Sequence, residues 1–167
     1  MPPTRRAYLT TAGTAAAVGL AGCTGDGGAS DTTAIDTSYA CELTERDPVA
    51  ALSQPVDGPS DATVTVDVFE DFACPHCADF ATGGLSQLKT DYLNGENVRF
   101  RHFDFPIPVS EWSNRVANAA RSVQQTQDDA AFFEFSLAAY ENYSDYSWQL
   151  VGDLAEAVGA DPCRVLS

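Results

Sequence analysis

The chain has 167 residues, enough for one domain with a real core once leader residues are subtracted. Its apolar content, nine Phe and two Trp exclude a disordered chain. With 24 acidic against nine basic residues, a single lysine and a net charge of −15, it lacks the clustered Lys and Arg that phosphate neutralisation requires. No nucleic-acid partner is therefore expected.

The first stretch has the order of an export leader. Arg5-Arg6 precedes Tyr8-Leu9 and a mildly apolar run, Thr11 to Ala21. That run is shorter than the ~20 residues that span a bilayer. The pattern resembles a twin-arginine (Tat) signal, and Leu20-Ala21-Gly22-Cys23 resembles a lipobox in which Cys23 is lipidated. The alternative is an ordinary signal peptide with a chance cysteine. Residues 1–23 are thus expected to be a lipoprotein leader. Residues 24–40, rich in Gly, Ser, Thr and Asp, are expected to be a flexible tether, with the domain at 41–167. This arrangement predicts an exported chain anchored by lipid on the outer face of the cytoplasmic membrane, where disulfides persist.

The domain opens with a transitional stretch from Tyr39 to Pro59, broken by Pro55, Gly58 and Pro59. From Ala62 to Phe69, Val64, Val66 and Val68 alternate with Thr63, Thr65 and Asp67, which predicts a strand. Pro75 to Leu93 predicts a helix presenting Phe80, Leu85, Leu88 and Tyr92, with Gly83-Gly84 as a point of bending. Asn94-Gly95 marks a turn, and Val98 to Phe103 a second strand. Phe105-Pro106-Ile107-Pro108 cannot be helical. Helices are then expected over Glu111–Gln125, Asp128–Tyr140 and Trp148–Val158, with Trp112 and Trp148 in the core and Pro162 opening a further helix.

Between the first strand and the first helix stands Cys74-Pro75-His76-Cys77. Cys74 falls at the helix N-cap and Pro75 in the first turn, where a missing N–H is harmless. Free N–H groups of that turn, the positive end of the helix and His76 are expected to favour the Cys74 thiolate. That makes Cys74 the attacking sulfur, with Cys77 one turn on to resolve the mixed disulfide. Three other readings stand beside this one. Half a zinc site would need further ligands, and Cys41, His102 and Cys163 are scattered singly. A structural disulfide over two residues would stabilise little. The third is a chance pair, against which the strand, proline and export context argue. Nothing in the sequence suggests a nucleotide, flavin or metal cofactor.

The stretch Val68 to Cys77, the helix after it, the strand Val98 to Phe103 and the helices beyond resemble the DsbA-type branch of the thioredoxin superfamily. The resemblance spans about Ala62 to Val158. It implies an α/β fold, a thioredoxin-like core with a helical insertion at about 109–167. It also implies a protein thiol–disulfide oxidoreductase that passes a disulfide to secreted proteins. Cys74 and Cys77 carry over as the redox-active pair, Pro75 and His76 as its tuning residues, and a membrane protein as the partner that reoxidises it. Family members return after the insert to a cis-proline loop, two strands and a closing helix. This sequence ends Asp161 to Ser167 without that motif, and Pro106 and Pro108 precede the insert. The expectation is therefore an incomplete core, with an unpaired sheet edge and Val64, Val66, Phe100 and Phe103 uncovered. A reductase or isomerase, or a non-catalytic lipoprotein (a binding or chaperone-like domain, or an inactive truncated remnant that keeps the cysteines), remains open at this point.

Four further features are weighed here. Cys41 and Cys163 either pair or stay free. Glu70 and Asp71, at a strand end, are expected to be solvated or capping, the alternative being a buried carboxylate that accepts a proton from the resolving thiol, as in some thioredoxin relatives; His102 is expected to be packed or exposed rather than a ligand. The Asp-rich, Lys-poor composition resembles that of proteins from salt-loving microbes.

Overall fold

In the computed structural model, residues 35–41, 51–92, 97–107 and 109–167 are described. The leader at 1–23, with Cys23, lies outside these residues, as do Asn94-Gly95 and Pro108.

The elements follow the expected order. β1 (Val56–Asp57) and β2 (Val64–Glu70) come first. Then α1 (Pro75–Asp79), a π-helical turn (Phe80–Leu85) and α2 (Ser86–Tyr92) follow without interruption. β3 (Val98–Asp104) precedes α3 (Trp112–Thr126), α4 (Asp129–Glu141), α5 (Trp148–Ala157) and α6 (Pro162–Val165). The sheet order is β1-β3-β2: β2 and β3 run parallel and the short β1 runs antiparallel on the outer side of β3. A parallel pair needs a crossover, and the helical run from Pro75 to Tyr92 supplies it.

Register divides the residues of the pair into two faces. Val66 opposes Phe100 and Val68 opposes His102 on one face; Asp67 opposes Arg101 and Phe69 opposes Phe103 on the other. The first face is covered: Val68, Leu85 and Phe100 make a small buried cluster. Burial of Phe100 corrects the expectation that it lies bare, because Leu85 of the crossover packs over it. The second face carries cross-strand pairs instead, Arg101 gripping Asp67 through two bonds of 2.7 and 2.8 Å. Phe69 stacks on Phe103 with centroids 4.7 Å apart and is 59% exposed. Among the described residues the outer edge of β2 meets no strand.

The main core lies between the helices and the turn after β2. Phe72, Val116, Val123, Phe132, Phe135 and Val151 are fully buried there. The helices begin where capping dictates: Asp128 and Ser147 each accept a bond from the backbone of the first turn they precede. Trp112 and Trp148 lie at the rim of this core, 5.3 Å apart, with the Arg115 guanidinium over both rings. Of the expected apolar face of the crossover only Leu85 is buried. Phe80, Leu88 and Tyr92 are exposed, since the π-helical turn shifts the phase of the residues on either side of it. β1 was not legible in advance, being two residues long within a stretch of breakers.

Ordered packing begins within 24–40. Ile35 and Tyr39 pack against the main core, the Tyr39 hydroxyl donates to Asp153 at 2.8 Å, and its ring lies against Gly152. Cys41 is disulfide-bonded to Cys163, fastening this strap to α6. Cross-linking residues 122 apart removes much freedom from the unfolded chain, so Cys41→Ser with Cys163→Ser should cost about 2–5 kcal/mol. Urea unfolding of the purified domain measures this. An unchanged midpoint would show that the strap contributes nothing to stability.

Candidate active site

β2 delivers the chain to a tight turn, Asp71 to Cys74, before α1 starts. Asp71 shapes the turn: its Oδ1 accepts from the Ala73 amide at 2.8 Å and its carbonyl from the Cys74 amide at 3.1 Å. Phe72 is driven into the core, stacked on Tyr140 with centroids 4.8 Å apart. Its carbonyl accepts from the Tyr146 hydroxyl at 3.1 Å, which ties the turn to the helical layer. Cys74 then sits at the N-cap in extended conformation, its own side chain making no capping bond, with Pro75 in the first turn. The Ala78 amide donates to the Cys74 carbonyl at 3.0 Å.

The two thiols differ in surroundings. Both are half-buried and unbonded to each other, but Cys77 packs against the main core. Burial pushes its thiol up to about 11, with the Cys74 sulfur and the charge of Glu70 adding to the effect against a lowering contact from the Asp71 backbone. His76 and Pro75 are exposed beside Cys74.

Beneath the turn lies a polar interior. Glu70 is 4% exposed and Asp71 is buried too, which corrects the expectation of solvation in favour of the buried alternative, while Asp71 does cap its turn. The cause is the register of β2, which points Glu70 to the covered face, whereas Asp71 turns in to cap its own loop. His102, directly opposite Val68, is 3% exposed. Its Nδ1 lies 3.3 Å from Glu70 Oε2 and its Nε2 lies 3.2 Å from Asp104 Oδ1. Asp104 Oδ2 meets Arg121 Nε at 3.0 Å, and Arg121 and Gln124 continue the chain of contacts to Asp129 and the Val56 amide. Burial alone would lower the His102 pKa, but bonds to Asp104 and Glu70 and their charges together outweigh it, and the net shift is upward. A partly open cavity of about 90 Å³ borders Glu70, His102, Ser136 and Tyr140. Among the described residues no group of His, Cys, Asp and Glu has the arrangement of a metal site, and no helix is long and apolar enough to cross a membrane.

Residues 51–161, more than half of the chain, match the family model described as Thioredoxin. The chain belongs to the thioredoxin superfamily. Within it, the similarities point to the DsbA-type branch. Disulfide bond formation protein D of Bacillus subtilis (strain 168) is 28% identical over 109 residues, 62% of this chain and 48% of that protein. The oxidised crystal structure of BdbD from Bacillus subtilis superposes with a TM-score of 0.59 at 28% identity, covering 68% of this chain and 63% of the other. The thiol–disulfide exchange protein alpha-DsbA2 from Wolbachia pipientis shares the fold, with a TM-score of 0.58 over 67% of this chain and 56% of that one at 23% identity. This thioredoxin-like chain spans about half the length of the first curated relative.

The upward shift of His102 gives the site a pH signature. A histidine held above its ordinary value of 6.5 contributes stability that is fully present below that value and is lost as pH rises through its higher folded value. Urea unfolding from about pH 6 to about pH 7.5, below the ordinary cysteine value of about 8.5, should therefore show falling stability. His102→Gln should abolish that slope; an identical slope in the variant would contradict the assignment.

Proposed function

We propose that the chain is an exported thiol–disulfide oxidoreductase that introduces disulfides into protein substrates through Cys74 and Cys77. The observation that carries this reading is the asymmetry of the pair: Cys74 at the mouth of a helix, Cys77 one turn on, packed inward with its thiol pushed up to about 11. In the oxidised chain a substrate thiolate attacks the Cys74 sulfur. The Cys74–Cys77 bond breaks, Cys77 leaves and takes up a proton, and a mixed disulfide joins substrate to Cys74. A second substrate thiolate attacks the substrate sulfur of that bond and expels Cys74 as a thiolate. The substrate loses two electrons and the pair gains them. Retention of the proton on Cys77 makes Cys74 the natural leaving group, and a stabilised leaving thiolate favours an oxidant. Pro75 starts the helix without a wasted donor and His76 adds a hydrogen-bonding or positive influence beside Cys74. The name of the Bacillus subtilis relative, a disulfide bond formation protein, agrees with this direction.

The oxidised chain mixed with a reduced dithiol peptide should yield disulfide-bonded peptide. Cys74→Ser and Cys77→Ser, neither of which can form the disulfide of the pair, should each reduce the yield to background. A wild-type chain that leaves the peptide reduced would overturn the reading.

Location follows from the leader. The paired arginines and the sequence Leu20 to Cys23 support export and lipid attachment at Cys23, and the acidic surface suits a saline exterior. A membrane protein that accepts the two electrons would complete the cycle. Cys23→Ser should move the chain from the membrane fraction to the soluble one; unchanged membrane association would rule out anchoring through Cys23.

A further inference from the structure

Among the described residues β2 is an edge strand, and the ladder that holds it fixes what its free edge offers. In a parallel pair, each residue that bonds across the gap uses both its N–H and its C=O, and its neighbours in the strand point theirs the other way. The Val64 amide donates to the Asn97 carbonyl and the Phe105 amide to the Glu70 carbonyl, each at 2.9 Å. Those bonds assign the even-numbered residues of β2 to the contact with β3. The backbone groups of Thr65, Asp67 and Phe69 are therefore directed at the open edge. β2 runs for seven residues without proline or lysine, and its one exposed carboxylate, Asp67, is held by Arg101 at 2.7 Å. It thus lacks the usual devices that keep an edge strand from pairing.

The uncovered face beside that edge and the direction of the strand say what would pair there. The Phe69 ring lies stacked on Phe103 and edge-on to Phe105, centroids 6.4 Å apart, and both Phe69 and Phe105 are more than half exposed. Arg99 reaches from β3 across to the Thr65 hydroxyl at 2.9 Å and the Ser60 carbonyl at 3.1 Å. The strand residues of this face carry two guanidinium groups against one carboxylate, in a chain whose net charge is −15. An acidic polypeptide, which the rest of the chain repels, is met here by a small positive excess. A second copy suits the edge less well, because pairing β2 with itself would set two such patches of like charge side by side. β2 also runs directly into the tight turn from Asp71 to Cys74, closed by the Cys74 amide on the Asp71 carbonyl at 3.1 Å. A strand laid along Thr65 to Phe69 carries its next residues toward Cys74.

We propose that the open edge of β2 docks an extended segment of unfolded, cysteine-bearing polypeptide, which adds as a further strand and brings its thiol to Cys74. The docking rests on the exchange chemistry above and names how its substrate is recognised. Main-chain bonds to Thr65, Asp67 and Phe69 give affinity that is independent of sequence, and the surface of Phe69 and Phe105 favours apolar side chains in the added strand. Such recognition selects chains that have not yet folded, because a native domain has already committed its backbone donors and acceptors internally. No new redox step enters. The docked thiolate attacks the Cys74 sulfur, the Cys74–Cys77 bond breaks, and Cys77 leaves and takes up a proton. The edge contributes by holding the reacting sulfur nearby.

Amide hydrogen exchange of the intact oxidised chain, read residue by residue by NMR, tests the docking without any activity. In the free chain the amides of Val66 and Val68 should be protected and those of Thr65, Asp67 and Phe69 should exchange readily. The probe is a peptide of about ten residues, alternating valine and threonine between terminal aspartates. Near saturation it should slow exchange at Thr65, Asp67 and Phe69 about fivefold. The same peptide with two adjacent prolines at its centre loses one donor from each of its edges and should bind about tenfold more weakly. Unchanged exchange at the three amides, or equal affinity of the two peptides, would overturn the proposal. So would protection of the three amides already in the free chain, which, if lost on dilution, would give the edge to a second copy.

A second measurement joins docking to exchange. A cysteine pair is placed at one end of the valine–threonine peptide in one version and at the other end in a second. The version whose cysteines fall beside Cys74 should be oxidised by the intact chain about tenfold faster than its two-proline counterpart, at peptide concentrations well below saturation. Oxidation of dithiothreitol, which is too small to pair with a strand, reports the exchange chemistry by itself. Its failure would count against that chemistry, whereas the amide pattern at Thr65, Asp67 and Phe69 reports the edge alone. Equal rates for the valine–threonine and two-proline peptides in both versions, with dithiothreitol oxidised, would overturn the proposal.

Discussion

The parallel pairing of Val64–Glu70 with Val98–Asp104 is the constraint on which the rest of the structure depends. Parallel strands cannot be joined by a tight turn, so the chain must travel back along the sheet, and the helical run from Pro75 does this. The crossover therefore begins at the carboxyl end of β2, and its first residues are the cysteine pair. The same register sets Glu70 level with Asp104 and Val68 level with His102. One alignment thus puts the turn carrying Cys74 above a buried cluster of ionisable groups. The Phe105 amide donates to the Glu70 carbonyl at 2.9 Å, so the pairing persists to the end of both strands.

Burying Glu70, His102, Asp104 and Arg121 together would be costly if any one lacked its partner. Desolvation of a charge in a protein interior costs several kcal/mol unless opposite charge and hydrogen bonds offset it. Alternating signs along the series meet that condition, and the extension to Gln124, Asp129 and the Val56 amide fixes β1 and α4 to it. The helical layer is held by different means. Tyr146 donates to the Phe72 carbonyl, and Phe72 fills the core beneath the turn, so the position of Cys74 depends on packing between α4 and the sheet. The strap from Ile35 and the Cys41–Cys163 bond close the side of this layer formed by α5 and α6.

Much of this was legible in the residues. Alternation of Val64, Val66 and Val68 marked β2, the helical spacing of Val116, Ala120 and Val123 marked α3, and Cys-Pro-His-Cys marked the junction between strand and helix. What was not legible depended on partners far away in the chain. Glu70 reads as a polar strand end until β3 is placed beside it, and His102 reads as an ordinary strand histidine until Glu70 and Asp104 are both seen at its ring. The Cys41–Cys163 bond joins residues whose spacing carries no local signal. The π-helical turn was foreshadowed only by Gly83-Gly84, yet it decides that Leu85 and not Leu88 covers Phe100. Periodicity reports which face of one element is apolar; it does not report where that face goes once a helix changes its pitch.

The central claim is that Cys74 and Cys77 form a reversible and oxidising disulfide. Equilibrating the intact chain across a series of glutathione redox buffers, then alkylating and mapping the thiols by mass, tests it directly. The account predicts a reversible two-electron transition confined to Cys74 and Cys77, with a midpoint more positive than about −270 mV, the value of thioredoxin. A pair that remains reduced through the series, or a transition located only at Cys41 and Cys163, would contradict it.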